Sequence, residues 1–368
     1  MNYAETVGNE FRKLYDRPPM IVRSPGRVNL IGEHTDYNLG FVMPAAIDKA
    51  MYFAAAARTD QRCTLHALDL NDHFDFAIGH LQYTDKRWPN YLMGVVAQLI
   101  KGGYGIRGFD CVFSGDIPIG AGLSSSAAME AGLAFVLNRM FDLKIDNLSL
   151  VKLAQRAENE FVGVQCGIMD QYANIFGEPD SVLRLDCRSL ESRFYPFGFD
   201  DVSIVLLDTG VSHSLAASEY NRRREECAEG VARIRTRYPG VEYLRDVNVT
   251  MMEECREQMP GTIYRRCRYV VDENARVLRA CMELENKQLK RFGALMDDTH
   301  HGLRDLYEVS CAELDFLVET VRPNRHVYGS RMMGGGFGGC TVNLIENAGI
   351  DRVIGTAAEK YKRRLTLN

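Results

Sequence analysis

The chain has no run of apolar residues long enough to cross a membrane. Its most apolar stretch, Phe41 to Ala57, is interrupted by Pro44, Asp48 and Lys49, so a spanning helix is not expected. An apolar leader is also missing. Met1 to Arg12 carries Glu5, Glu10 and Arg12, which does not read as an export signal. There is no excess of positive charge: the formal net charge is -5, where a dedicated nucleic-acid binder would show a basic stripe. The 10 cysteines never approach the C-x-x-C spacing of a zinc knuckle or a redox pair and sit among apolar residues, as buried thiols do. Repeats and low-complexity linkers are absent. These absences point to a cytoplasmic protein in a reducing compartment, acting on neither a membrane nor nucleic acid.

What is present is ordinary globular composition, with 46% apolar and 25% charged residues in 368. That length suggests about two domains. Short strands are expected at 21–23 and 28–31 around a Pro25-Gly26 turn, then near 51–58, 64–68, 74–78 and 109–116. Helical periodicity marks 88–101, 126–140 and 150–161. Beyond a buried strand at 202–207 the chain turns helical, over 218–238, 265–284 and 301–321, the last closed by Pro323. Strands resume at 327–332 and 341–345. The expected architecture is α+β in two lobes, 1–195 and 196–368.

Three motifs carry chemistry. Gly26-Arg27-Val28-Asn29-Leu30-Ile31-Gly32-Glu33-His34-Thr35-Asp36-Tyr37-Asn38 crowds donors and acceptors into one segment, as a polyhydroxylated ligand requires. Gly120-Ala121-Gly122-Leu123-Ser124-Ser125-Ser126 lies between a strand and a helix. Its glycines admit a ligand close to the backbone, and the helix start offers unpaired N–H groups, so the pair makes an anion site. It lacks the lysine of a Walker A loop. Gly334-Gly335-Gly336-Phe337-Gly338-Gly339 satisfies G-x-G-x-x-G but is followed by a strand pattern, not the helix that a dinucleotide fingerprint opens. Two further carboxylates stand out: Asp170, able to accept a hydroxyl proton, and Glu158, which alone reads as surface charge. His300-His301 read as helix surface or caps, and the run Arg222 to Glu226 as mostly a solvated helix face from which one arginine could still reach a phosphate.

In this order the motifs resemble those of the galactokinases of the GHMP kinase superfamily, from about residue 20 to the C-terminus. The resemblance implies the two-lobed GHMP kinase fold with an active site in the interlobe cleft. It implies ATP-dependent phosphorylation of the anomeric hydroxyl of galactose, with Mg²⁺ as cofactor; a monomer is expected. It implies Arg27 and Asp170 as the catalytic pair, with Asp170 the base. Glu33, His34, Asp36 and Tyr220 join them as sugar ligands. Gly120, Ala121, Gly122, Leu123, Ser124, Ser125 and Ser126 become the phosphate loop, Trp88 the edge of the adenine pocket, and Ser126 and Glu158 the metal ligands. A guanidinium beside Asp170 would keep that carboxylate charged. It would then be a weak base that accepts the proton late or mainly orients the hydroxyl. Leu39 and Met333 depart from the family pattern, which holds a glycine and often a threonine there. Leu39 is expected to make its turn less permissive. Alternatives are a kinase for N-acetylgalactosamine or arabinose, and a non-catalytic galactose and ATP sensor. The intact serine loop argues against the sensor.

Overall fold

The computed structural model describes residues 2–118, 122–212 and 216–366. They form two compact units that interleave along the chain. One comprises Met1–Arg27, Ala46–Ile119 and Leu123–Gly177; the other comprises Val28–Ala45, Gly120–Gly122 and Glu178–Asn368. This division differs from the single break expected at 195/196. Two division points fall inside the unbroken strands Met20–Asn29 and Pro44–Ala57, and a continuous strand carries no local mark of a boundary.

The first unit is built on a five-stranded sheet in the order Met20–Asn29, Pro44–Ala57, Phe109–Gly115, Arg62–Ala67, Asp72–Ala77. Strand alternation sends neighbours to opposite faces. Ala54 and Val112 pack with Val7 and Phe11 of the helix Tyr3–Tyr15. Phe53 and Phe113 stack on the other face, where Trp88 meets Phe113 at 5.5 Å. The helix Ser125–Met140 carries the small residues Ala127, Ala128, Ala131 and Gly132. A Cβ on Gly132 would lie 2.4 Å from the Phe53 ring, so small size on this face lets the helix lie close to the sheet.

Pro25 does not make the expected turn; it lies inside the strand Met20–Asn29. That strand is at the sheet edge, where a residue without an N–H is tolerated.

The second unit holds two three-stranded sheets. One orders Val327–Met332, Gly338–Glu346 and Val202–Ser212; the other orders Phe41–Val42, Ser181–Asp186 and Ser192–Pro196. Val327–Met332 and Gly338–Glu346 are antiparallel, with Met332 opposite Thr341. The third glycine motif is therefore the connection between two strands, as its sequence context required. The helices Ala216–Arg237 and Gly261–Glu285 pack around a core that includes Cys227, Ile234, Tyr269, Val270 and Tyr307.

The single helix expected over 301–321 is two, Leu289–His301 and Ala312–Val321. A π-helical turn, Gly302–Leu306, and a left-handed Glu308 at φ 55° separate them. The apolar residues continue through the break because Leu303, Tyr307 and Val309 are themselves core, so periodicity alone hides it. His300 is buried, not on the surface, and its Nδ1 accepts the Met332 N–H at 3.3 Å. Arg223 is also buried and donates to the carbonyls of Tyr307 and Glu308, each at 2.8 Å.

Candidate active site

The helix Ser125–Met140 begins directly after Ser124, which is left-handed at φ 58°. A serine at this position usually caps the helix with its hydroxyl. Ser124 does not; its hydroxyl donates to Asp170 Oδ2 instead. The cap side chain thus leaves the first-turn N–H groups, with their partial positive charge, to other partners. Gly120 and Ala121 lie outside the described residues. Gly122 is left-handed at φ 74°, and the buried Leu123 accepts the Arg27 N–H through its carbonyl at 3.3 Å.

Asp170 opens the helix Met169–Phe176. Arg27, near the end of the edge strand, grips it with two parallel bonds, Nε to Oδ1 and Nη2 to Oδ2, both at 2.8 Å. Planar bidentate pairing of this kind fixes orientation as well as charge. The Arg27 side chain is 6% exposed and that of Asp170 29%, so the carboxylate keeps an open edge while its partner is sealed. Arg27, Ser124 and Asp170, separate in sequence, form one cluster.

Glu158 lies in a π-helical turn, Ala157–Val162, a distortion often found at functional sites. It is buried beside Glu130 and Ser126. The Gln171 amide bridges the two carboxyls, donating to Glu158 at 2.9 Å and Glu130 at 3.2 Å. Burial pushes both glutamates above the usual carboxyl range; their mutual repulsion adds for Glu130, and the nearby Asp170 charge adds for Glu158. One oxygen of Glu130 and the Gln171 carbonyl oxygen have no hydrogen-bond partner. Unsatisfied oxygens beside paired carboxyls and a serine hydroxyl are the donor chemistry a hard divalent cation takes. Among the described residues no three acidic, histidine or cysteine side chains form a cage, and Mg²⁺ characteristically uses only one or two carboxylates. Trp88 packs on Phe113 of the sheet, with ring centroids 5.5 Å apart. It is 8% exposed, and its indole N–H donates to Asp72 at 3.0 Å.

In the second unit the segment 32–38 is shaped from within. Gly32 sits at φ 95°, and a Cβ there would be 2.7 Å from the Phe41 carbonyl. Its N–H donates to Glu273 at 2.8 Å, and the Thr35 hydroxyl donates to Gly32 O at 2.9 Å. Leu39 itself adopts the left-handed conformation, φ 54° and ψ 30°, so the turn persists without the glycine.

Glu33 is buried against the fully buried Arg331. Three donors converge on Glu33 Oε1: Arg331 Nη1 at 3.2 Å, Arg331 Nη2 at 3.1 Å and the Gly334 N–H at 2.8 Å. None of them involves Oε2. His34 is buried, with Nδ1 at 2.7 Å from the Tyr37 hydroxyl and Nε2 at 3.2 Å from Gly335 O. Burial pushes its pKa down to about 3, with the Arg223 charge acting the same way, so the ring is neutral. The Tyr220 ring lies 5.3 Å from that of His34, and Asp36 is buried at the start of the turn Asp36–Asn38. Glu33, His34, Asp36 and Tyr220 therefore belong to one unit, whereas Arg27, Ser126, Glu158 and Asp170 belong to the other.

Several participants were missed from the sequence. Glu130 follows Ser126 by four residues on one helix face, a spacing that could have flagged it. Arg331, Tyr307 and Cys227 carry no local signal.

Comparison with known proteins follows the same segments. Residues 9–57 match the galactokinase galactose-binding signature, 90–178 the GHMP kinases N terminal domain and 280–363 the GHMP kinases C terminal domain. A galactokinase of Roseiflexus sp. (strain RS-1) is 45% identical over 94% of this chain and 88% of its own. The crystal structure of Lactococcus lactis galactokinase complexed with galactose superposes with a TM-score of 0.93 at 34% identity, covering 98% of this chain and 94% of that one. The mevalonate kinase of Methanococcus jannaschii, at TM-score 0.64 and 18% identity over 93% of this chain and 95% of its own, shares the fold.

Proposed function

The chain belongs to the galactokinase family of the GHMP kinases, and we propose from that premise that it transfers the γ-phosphoryl group of ATP to the anomeric hydroxyl of galactose. The observation that carries the chemical reading is the bidentate grip of Arg27 on Asp170, completed by Ser124. In the transfer, the bond from the sugar O1 to the γ-phosphorus forms as the bond to the β,γ-bridging oxygen breaks, and the hydroxyl proton leaves O1. Asp170 already accepts through both oxygens. It orients the hydroxyl and takes its proton late, as a loose transition state permits. Arg27 keeps that carboxylate in one orientation and adds positive charge where the transferred oxygens gather charge.

The first turn of Ser125–Met140, with Gly120, Ala121, Gly122 and Leu123 before it, is assigned to the phosphates. Ser126 and Glu158 are assigned to Mg²⁺, with Glu130 and Gln171 behind them. Bound there, the ion supplies charge neutralisation of the phosphates. Glu33, His34, Asp36 and Tyr220 are assigned to the sugar, Glu33 through Oε2. The adenine contact assigned to Trp88 falls to the small part of its surface left exposed. The ten cysteines form no disulfides with one another, which agrees with work in the reducing cytoplasm; we propose that the protein acts there as a monomer.

The test is ADP release with Mg²⁺-ATP and galactose, N-acetylgalactosamine, glucose, arabinose or no sugar, beside Asp170→Asn. Galactose-dependent release is expected, lowered about a hundredfold in kcat by the substitution, the low end of the range for proton-transfer groups. Near-unchanged kcat in the variant removes Asp170 from the chemistry. Galactose binding without release, with any sugar, favours a sensor.

A further inference from the structure

Behind His34 runs a line of buried hydrogen-bonding groups that the transfer chemistry does not use. The Tyr37 hydroxyl is 2.7 Å from His34 Nδ1 and 2.7 Å from the Tyr307 hydroxyl, which is 3.2 Å from Cys227 Sγ. The Asn38 side-chain amide closes the line, donating to Cys227 Sγ at 3.8 Å and to the His34 carbonyl at 2.9 Å. All these residues belong to the same unit and are buried.

The line has one direction. Gly335 O can only accept, so the His34 Nε2 facing it carries the proton. The neutral ring then has a bare Nδ1, to which Tyr37 donates. The Tyr37 oxygen in turn accepts from Tyr307, and the Tyr307 oxygen accepts from the Cys227 thiol. The reverse direction would set a bare Nε2 against a carbonyl oxygen, two acceptors face to face. Burial keeps every donor protonated: both tyrosines lie well above their usual range, and Cys227 is pushed up to about 11. Hydrogen bonds aligned head to tail in this way reinforce one another.

Resting on the sugar-site reading above, we propose that Tyr37 and Tyr307 are positioning residues for galactose: they lock His34 in the tautomer with the proton on Nε2, so that it meets the sugar as a donor. The sugar oxygen it serves must accept, sharing the N–H with Gly335 O or displacing it. Both tyrosine hydroxyls are engaged within this buried line, so their effect is expected on sugar affinity alone.

The experiment combines nitrogen NMR and kinetics on the full chain. With ¹⁵N-histidine labelling and His34→Gln for assignment, wild type should show a protonated Nε2 and a bare Nδ1 without any sugar. Tyr37→Phe, which removes one oxygen atom, should raise the galactose KM about tenfold. Its kcat and ATP KM should stay within about twofold of wild type, since uniform binding alone is lost. Tyr307→Phe acts one step further away and should raise the galactose KM by a smaller factor, whereas Cys227→Ser, which keeps a donor, should raise it least. A proton on Nδ1 in wild type overturns the proposal. So does an unchanged galactose KM in Tyr37→Phe, with wild-type turnover intact. Wild type inert toward galactose overturns the sugar-site reading, and the role given to the tyrosines falls with it, whatever the tautomer.

Discussion

Replacing Glu33 by glutamine should destabilise the protein before any sugar is added. The Arg331 guanidinium is fully buried and donates to the carbonyls of Leu30 at 2.9 Å, of Met332 at 2.6 Å and of Asn29. Among the described residues, Glu33 is the opposite charge with which it pairs. Removing one member of a buried ion pair costs about 3–5 kcal/mol, because the survivor stays desolvated without its counter-charge. Glutamine keeps the volume and one accepting oxygen, so part of that loss is avoided. Exchanging charge-assisted for neutral hydrogen bonds leaves about 2 kcal/mol. For a compact unit of about 200 residues that lowers the melting temperature by about 4–8 °C. Glu33→Ala should lower it further.

The orientation of the new amide is fixed by the Gly334 N–H, which needs an acceptor. The glutamine oxygen therefore takes the Oε1 place, and its NH₂ takes that of Oε2, where the sugar is proposed to bind. A donor then faces a sugar hydroxyl that met an acceptor, and the galactose KM should rise at least about tenfold. Thermal melts by circular dichroism, with and without Arg331→Met, check the first part. The double variant should be less destabilised than the sum of the two singles by at least about 1 kcal/mol. A melting temperature within about 1 °C of wild type for Glu33→Gln, or strict additivity in the cycle, refutes the ion-pair argument.

Two further outcomes are expected. His34 is held with its pKa pushed down to about 3, so the folded state binds fewer protons than the unfolded chain below the ordinary value of about 6.5. Its contribution to stability is full above that value and falls steadily as the pH drops toward 3; by pH 5 the loss is about 2 kcal/mol. Urea melts at pH 7 and pH 5 should show a loss that is largely absent in His34→Gln. Gly336→Ala should cost at least about 3 kcal/mol in the same melts. Gly336 sits at φ 84°, and an added Cβ would be 2.2 Å from Val309 O, the acceptor of the Phe337 N–H at 2.8 Å. A fully folded, wild-type-stable Gly336→Ala would refute the close approach of Gly336 to the Val309 carbonyl.

What the sequence made legible was whatever depends on neighbours along the chain. The helix after the serine loop, the strand after the third glycine motif and the order of the motifs all rest on local periodicity and punctuation, and they survive in the structure. The expected pairing of Arg27 with Asp170 also stands at hydrogen-bond distance, although it came from family likeness and not from spacing. The misreadings share a cause. Pro25 looked like a turn because its tolerance depends on lying at a sheet edge, and the edge is set by strands far away in sequence. Arg223 and His300 looked solvent-exposed because their partners, the carbonyls near Tyr307 and the Met332 N–H, come from other elements.

The same distinction explains why the first motif can be recognised but not apportioned by sequence alone. Glu33 is a single letter in Gly-Glu-His-Thr-Asp-Tyr, yet its two oxygens have different surroundings, one saturated by Arg331 and Gly334 and the other outside that set. His34 has both nitrogens engaged, and its tautomer is decided by a carbonyl about 300 residues further along the chain. Tyr37 reads as a bystander until Tyr307 is placed against it. Residues that bind and residues that hold the binders are interleaved at adjacent positions, so loss of activity in a variant of this segment cannot by itself assign a role. A measurement on the sugar-free protein, of melting or of tautomer, separates the two, because only the holding role has anything to lose before galactose arrives.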